Sequence, residues 1–144
     1  MLVDLVLREH AVIYGLAAGG GRLGAEAASA AAVEAVQGAY DVHRLRRDQL
    51  IAVLQQRGAT APPAEPAYQL PPSANAAVTG AFLATLEDKI GASYDTALGE
   101  LTEPSLRQMA VTAIRDGARF RTQILLAVGQ PASAAAPALP GRPG

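Results

Sequence analysis

The chain has 144 residues, of which 50% are hydrophobic and only 4% aromatic, and its formal net charge is −1. This length suggests one domain, and a near-neutral charge without a long basic run argues against nucleic-acid binding. Because the sequence has no cysteine, disulfides, zinc–thiolate sites and thiol catalysis are excluded. Charged residues interrupt the apolar start, and no apolar run of about 18 residues occurs, so we expect neither a signal peptide nor a membrane span. The default expectation is a cytoplasmic protein.

The first half of the chain predicts two helices. Apolar residues recur with helical spacing from about residue 2 to 23, and the glycines of AAGGGRLG mark the end of that segment. A second periodic segment runs from about residue 26 to 57 and stops at Gly58. Alanine dominates both segments, which raises helix propensity and allows close helix packing.

The second half predicts two further helices. Ser73 or Asn75 is a suitable N-cap for a helix that ends near residue 101. Thr102 is the expected N-cap of the last helix, with Pro104 in its first turn, and this helix ends near Gly129. No segment alternates with a period of two, so we expect no strands.

Two segments are not expected to be helical. The linker at residues 58–72, GATAPPAEPAYQLPP, should be extended, and at about 3.1 Å per residue it matches the length of the preceding helix. It can therefore return the chain to the opposite end of a bundle. Two antiparallel hairpins joined by such a crossover make a ferritin-like bundle, predicted here for residues 1–129. The alternative is a slack linker that joins the hairpins in a simple up-and-down bundle. Residues 130–144, rich in Pro and Ala, should be a disordered tail.

Each predicted helix carries one ionisable residue at mid-height on its apolar stripe. These residues are Glu9, His43, Glu87 and Asp116. In each hairpin the two residues lie about equally far from the turn, so antiparallel packing brings them to one level. Carboxylates and an imidazole at one level are candidate ligands for a single iron, manganese or zinc ion.

Several short motifs carry a resemblance to a known family. They are EH at 9–10 with Tyr14, HRLRRD at 43–48, PAYQLP at 66–71 and LED at 86–88. With them, residues 2–128 resemble the actinobacterial ferritin-like domains of unknown function. The resemblance implies a ferritin-like four-helix bundle and brings no established activity.

The di-iron pattern of ferritin-like proteins is incomplete in this sequence. Such sites use one Glu from each of two helices and a Glu-x-x-His pair from each of the others. Here Tyr40 takes the place of a Glu, and Arg119 takes the place of a His. Because arginine stays charged, it binds carboxylates and repels metals. With Arg47 also predicted on this stripe, we expect a buried polar network of Tyr40, Arg47 and Arg119 around the carboxylates.

Three functions remain open from the sequence. The first is a non-enzymatic binding or structural protein without a di-iron site and with no cofactor. The second is a metal-binding protein or metal-dependent oxidoreductase that uses Glu9, His43, Glu87 and Asp116. The third is a small-ligand pocket roofed by aromatic residues: Tyr14, Tyr94 and Phe120.

A second apolar stripe on the first and last helices predicts a homodimer. It comprises Val3, Val6, His10, Ile13 and Ala17 on the first helix, and Val111, Ile114, Ala118 and Leu125 on the last. Broad apolar faces on small helical domains often associate in pairs.

Overall fold

The computed structural model describes residues 1–136 of the chain. Four long helices form a bundle: α1 (Leu2–Ala25), α2 (Ala30–Gln56), α3 (Ala76–Glu100) and α4 (Pro104–Ala127). A single helical turn, α5 (Ala132–Ala135), follows. Within residues 1–136 there is no strand, so the all-α four-helix prediction is confirmed.

The helices begin and end at residues that can satisfy free backbone groups. Asn75 caps α3, since its side-chain oxygen accepts from the Val78 N–H at 3.0 Å. Gly58 reverses the chain after α2 with a φ of 70°.

The predicted starts of two helices were wrong. The α2 helix begins after the N-cap Ser29 instead of at residue 26. In α4, Glu103 occupies the N-cap position predicted for Thr102.

Helix packing shows the order in which the chain fills the bundle. The α1 and α4 helices each pack along both α2 and α3, whereas the pairs α1 and α4, and α2 and α3, lie diagonally across the bundle with no Cα atoms within 8 Å of each other. Gly15 of α1 lies against Leu86, and Gly19 lies against Leu83, so α1 and α3 are antiparallel. Because α2 and α4 are antiparallel to their hairpin partners, the helix directions are up, down, down and up.

The linker between α2 and α3 therefore spans the length of the bundle, as predicted. It runs along α1. His10 Nε2 lies 3.3 Å from the carbonyl oxygen of Pro62, and Arg22 Nη1 donates to the Pro71 carbonyl at 2.7 Å. Between these points the rings of Tyr14 and Tyr68 pack with centroids 5.2 Å apart.

Parts of the second apolar stripe are covered within the chain. Val6 is fully buried, and His10 contacts the linker. On α4, Leu125 packs against Ala135 of the tail. The stripe that suggested a homodimer is thus narrower than the sequence predicted, although Val3 and Val111 remain exposed.

The expected disorder of residues 130–144 does not describe the first part of this tail. After Gly129, which turns the chain with a φ of 86°, residues 132–135 form α5 and the Ala135 side chain is fully buried. Residues 137–144 lie outside the described part of the chain.

A helix that crosses a bilayer needs about 20 predominantly apolar residues. None of the helices within residues 1–136 has a sufficiently long apolar stretch.

Candidate functional site

Three of the four predicted site residues meet in the centre of the bundle. His43 Nδ1 lies 2.6 Å from Glu9 Oε2, and His43 Nε2 lies 3.2 Å from Glu87 Oε2. The side chains of all three are almost completely buried. Each of the three residues comes from a different helix. The equal distances of Glu9 and His43 from the first turn are consistent with their contact, whereas Asp116, the residue matched in the same way to Glu87, binds arginines instead.

Two further side chains, those of Tyr94 and Arg46, approach the Glu9 carboxylate. The Tyr94 hydroxyl donates to Glu9 Oε1 at 2.6 Å. Arg46 Nη1 lies 3.7 Å from the same oxygen, and its guanidinium also lies over the Tyr94 ring. The Glu9 carboxylate therefore faces a histidine, a tyrosine and an arginine, and each of them can donate a hydrogen bond to it or lies within ion-pair distance.

The two carboxylates determine the charge of His43. Burial alone would lower the pKa of the imidazole, but hydrogen bonds and charge from Glu87 and Glu9 outweigh burial and raise the pKa to about 9. At neutral pH the ring is therefore an imidazolium, and both N–H groups donate to carboxylate oxygens. A protonated ring has no free lone pair on either nitrogen.

Burial has the opposite consequence for Glu87. It raises the pKa of this carboxyl group, and the hydrogen bond from His43 offsets only part of the effect. Gly117 leaves room for Glu87, because a Cβ at this position would lie 3.3 Å from the Glu87 backbone oxygen and 3.5 Å from Oε2.

Burial also raises the pKa of Tyr94, and the nearby charge of Glu9 adds to this effect. The Tyr94 hydroxyl therefore keeps its proton and donates it to Glu9.

The remaining predicted residues lie at the edge of this centre or outside it. Asp116 does not contact His43; its carboxylate is 22% exposed and binds Arg46 at 2.9 Å and Arg119 at 3.3 Å. Arg119 is mostly exposed and covers the Phe120 ring. Tyr40 is half-buried beneath the Arg44 guanidinium, and Arg47 pairs with its neighbour Asp48.

Placing Arg47 in the buried network was the main error in the predicted set, because Arg46 occupies that position. The core-facing residues of α2 are Ala32, Val36, Ala39, His43, Arg46, Leu50 and Leu54. Steps of three and four residues from His43 reach Arg46 and Arg47 equally well, so spacing alone did not distinguish them. Ala39 could have distinguished them. A small residue is favoured where a neighbouring helix lies close, so Ala39 rather than the larger Tyr40 belongs to the buried face, and that face continues through His43 to Arg46.

The predicted buried face of α4 was also displaced by one residue. Its buried face includes Ala113, Gly117 and Phe120, which leaves Asp116 beside the face rather than on it. Tyr94 was predicted as the roof of a ligand pocket together with Tyr14 and Phe120. Instead, Tyr94 is part of the network, and Tyr14 lies on the surface against Tyr68.

Some features of this centre favour metal binding, and others oppose it. Glu9 and Glu87 supply carboxylate oxygens, and Glu87 Oε1 is buried without a hydrogen-bond partner among the described residues. Two features oppose metal binding. Both ring nitrogens of His43 already make hydrogen bonds to carboxylates, and the positively charged Arg46 guanidinium lies next to Glu9. Across residues 1–136, no group of three or more His, Asp or Glu side chains has a metal-site arrangement. The present side-chain positions therefore do not fit a dinuclear iron centre.

Comparison with known proteins identifies a family, but this family has no assigned activity. Residues 2–144 match the profile of a domain of unknown function, DUF4439. This chain belongs to the DUF4439 family. Comparison with curated proteins finds no significant match.

A solved structure is similar to this chain over most of its length. The chain is similar to a conserved hypothetical protein from Mycobacterium tuberculosis, known from a crystal structure, with 31% sequence identity and a TM-score of 0.73. The similarity covers 83% of this chain and 87% of the mycobacterial one. That protein, too, is known only as a hypothetical protein, so the similarity brings no activity to this DUF4439 chain.

Proposed function

We propose that this DUF4439 chain is a ferritin-like bundle without a di-iron site, and that it acts as a non-enzymatic binding or structural protein. The up, down, down, up helix order with a full-length crossover supports the ferritin-like relationship. The position of His43 between two carboxylates carries the functional part of the proposal. A proton on the imidazole neutralises charge where ferritin-like enzymes use metal ions.

The balance of charges supports an internal network that needs no cation. Glu9 and Asp116 supply two negative charges, and His43 and Arg46 supply two positive ones. Burial raises the pKa of Glu87, which favours the neutral form of this third carboxyl group relative to a free glutamate. Buried charges are tolerated when they are paired and hydrogen-bonded, and such networks can fix the register of helices.

Register has to be fixed in this bundle because its helices carry many small side chains. Alanine faces slide past one another at little cost, whereas a hydrogen-bonded network has one good arrangement. The network joins α1 to α2 through Glu9 and His43, α2 to α3 through His43 and Glu87, and α2 to α4 through Arg46 and Asp116.

The runner-up is a protein that binds a single iron, manganese or zinc ion, or an oxidoreductase dependent on that ion. One observation favours it, namely the unpartnered Oε1 of Glu87 in the centre. In this proposal Glu9, His43, Glu87 and Asp116 would be the ligands. His43 would first have to lose its proton, and Asp116 would have to leave Arg46.

Elemental analysis of protein purified without chelator distinguishes the two proposals. The internal network predicts less than stoichiometric iron, manganese and zinc, and a melting temperature unchanged by chelator. Stoichiometric metal that is lost in the Glu87→Gln and His43→Ala variants would establish the runner-up. Glu87→Gln keeps the side-chain volume, so it serves as the folded control if His43→Ala unfolds.

The proposal also covers the source, the compartment and the oligomeric state of the protein. Similarity to a mycobacterial protein supports an actinobacterial origin. We also propose that the protein is cytoplasmic, and its near-neutral net charge supports a protein that binds neither nucleic acid nor membrane surfaces. Exposed apolar side chains such as Val111, Leu126 and Leu45 support a homodimer.

A further inference from the structure

Two buried polar atoms of the central network have no hydrogen-bond partner among the described residues. They are Nη1 of Arg46 and Oε1 of Glu87. Arg46 is 5% exposed and Glu87 is 1% exposed, so bulk solvent does not reach either atom. An unpaired donor or acceptor in a protein interior is costly, and such groups are almost always paired with protein groups or with ordered water.

The neighbouring side chains do not supply the two missing hydrogen bonds. Both ring nitrogens of His43 are already used, one for Glu9 and the other for Oε2 of Glu87. Arg46 donates from Nη2 to Asp116 at 2.9 Å. Its Nη1 lies 3.7 Å from Glu9 Oε1, which is too far for a direct hydrogen bond.

Helix geometry brings the two unpaired atoms to the same part of the bundle. His43 of α2 contacts Glu87 of α3, and these helices run in the same direction. Three residues along α2 therefore place Arg46 about 4.5 Å beyond the level of that contact. Two adjacent residues of α4 show the same proximity, because Asp116 binds Arg46 and Gly117 lies against Glu87. A molecule that makes two hydrogen bonds spans about 5–6 Å between its partners, which suits this offset.

The combination of one donor and one acceptor selects the class of bridging molecule. Water can accept from Arg46 Nη1 and donate to Glu87 Oε1, and its second hydrogen can reach Glu9 Oε1. Three hydrogen bonds of this kind are typical of a buried water. Water also suits either protonation state of Glu87, because it donates to a carboxylate and accepts from a carboxylic acid. A cation would be repelled by the guanidinium, and an anion would face the carboxyl groups of Glu9 and Glu87.

We propose that one ordered water molecule lies between Arg46 Nη1 and Glu87 Oε1 and is a bound component of the network. This inference rests on the metal-free network of the proposed function and adds a ligand to it. The α2 and α3 helices lie diagonally across the bundle, where the hydrogen bond from His43 to Glu87 joins them. The water gives this diagonal pair a second connection, through Arg46.

A high-resolution crystal structure of the full chain tests the proposal without any substitution. The protein is purified without added metal or chelator, and data are collected above the absorption edges of manganese, iron and zinc. We expect a density peak about 2.7–3.2 Å from both atoms and without anomalous signal. An anomalous peak about 2.0–2.2 Å from Glu87 Oε1 would overturn both the water and the metal-free network. Metal-free protein with no peak, or with Arg46 Nη1 bonded directly to Glu87, would overturn the water alone.

Oxygen-17 magnetic relaxation dispersion tests the same water in solution, because it counts long-lived internal waters. Glu87→Met removes the acceptor and keeps a side chain of similar length, so it should remove one long-lived water. Arg46→Met removes the donor and should give the same loss, which provides a second variant if the first does not fold. Asp88→Asn changes the adjacent carboxylate, which is 56% exposed, and should leave the count unchanged. A folded Glu87→Met or Arg46→Met variant with the wild-type count would overturn the proposal.

Discussion

At the scale of single residues, His43 links the charge of the site to the stability of the fold. Its pKa is about 9 in the folded chain and 6.5 for a free histidine. A raised folded pKa means that the folded state binds the proton more tightly than the unfolded state. The resulting stability is fully present below pH 6.5 and is lost as pH rises through 9.

The first prediction follows from this shift. Between pH 6 and pH 10 the free energy of unfolding should fall by about 3 kcal/mol, measured by urea denaturation. The raised pKa of Glu87 acts in the same direction, because the folded state also binds that proton more tightly. His43→Gln should remove most of the pH dependence, whereas His10→Gln should retain it. A wild-type stability that is constant over this range would contradict the assignment of charge to His43.

The second prediction separates two adjacent arginines. Arg46 is 5% exposed and pairs with Glu9 and Asp116, whereas Arg47 pairs with Asp48 at the surface. Arg46→Gln should reduce the free energy of unfolding by about 3–5 kcal/mol, because it leaves buried carboxylates without their partner. Arg47→Gln should change it by less than about 0.5 kcal/mol. Equal effects of the two substitutions in thermal and chemical denaturation would show that α2 is rotated from its described position.

The same residues show what the sequence could predict about the site. Glu9, His43 and Glu87 were predicted from their level alone, since equal distances from a turn are readable from residue numbers. The side of a helix is harder to predict, because steps of three and four residues both fit its period. Arg46 and Gly117 were missed for this reason, and Asp116 was placed too deep.

At the scale of helices, glycines set the separation of α1 and α3. A Cβ at Gly19 would come within 2.4 Å of Leu83 Cδ2, and one at Gly15 would come equally close to Leu86 Cδ1. The larger side chains of α3 thus fill space that α1 leaves free. At Gly21, also in α1, a Cβ would meet nothing within 4 Å.

The third prediction compares two glycines of this helix. Gly19→Ala should destabilise the fold by about 1–3 kcal/mol, because Leu83 is fully buried and has to move. Gly21→Ala should instead stabilise it by about 0.5–1 kcal/mol, since alanine favours helix and nothing obstructs its methyl group. Thermal melting followed by circular dichroism measures both changes. Stabilisation by Gly19→Ala would mean that α1 and α3 do not pack this closely.

Prediction from sequence was most successful at the level of whole helices. The four periodic segments and the Asn75 cap were correct, because period and capping are local properties of the chain. The start of α2 was placed too early because residues 26–28 have ordinary helix-compatible side chains. Tertiary contacts decide that end: the Ser29 hydroxyl donates to the Ala127 carbonyl, and Glu26 receives hydrogen bonds from Ser73 and Thr79.

At the scale of the whole molecule, the crossover decides which helices are neighbours. Its predicted length matched α2, and the contacts from Pro62 to Pro71 along α1 show the path. The packing of α5 against α4 was not predictable from composition. It depends on the hydrogen bond from Arg121 to the Ala135 carbonyl and on a small apolar cluster of Ala84, Leu125 and Ala135, which come together only in the folded bundle.

The fourth prediction tests this chain path directly. Spin labels at Gln56 and Ala81 should lie on the order of 30 Å apart, since the linker carries the chain from one end of the bundle almost to the other. Labels at Gln56 and Thr102 should lie much closer, because the neighbouring residues Arg57 and Glu103 form an ion pair. Pulsed electron paramagnetic resonance measures both distances. A short distance for the first pair would indicate a simple up-and-down bundle.

The account as a whole depends on the proton that His43 holds between Glu9 and Glu87. Nitrogen-15 NMR of the histidine ring measures it directly in protein purified without added metal or chelator, with His10→Gln to assign the signals. We predict two protonated ring nitrogens at pH 7 and a loss of one proton near pH 9. A ring nitrogen that is unprotonated at pH 7, or whose signal shifts on addition of one equivalent of zinc, would contradict a metal-free network.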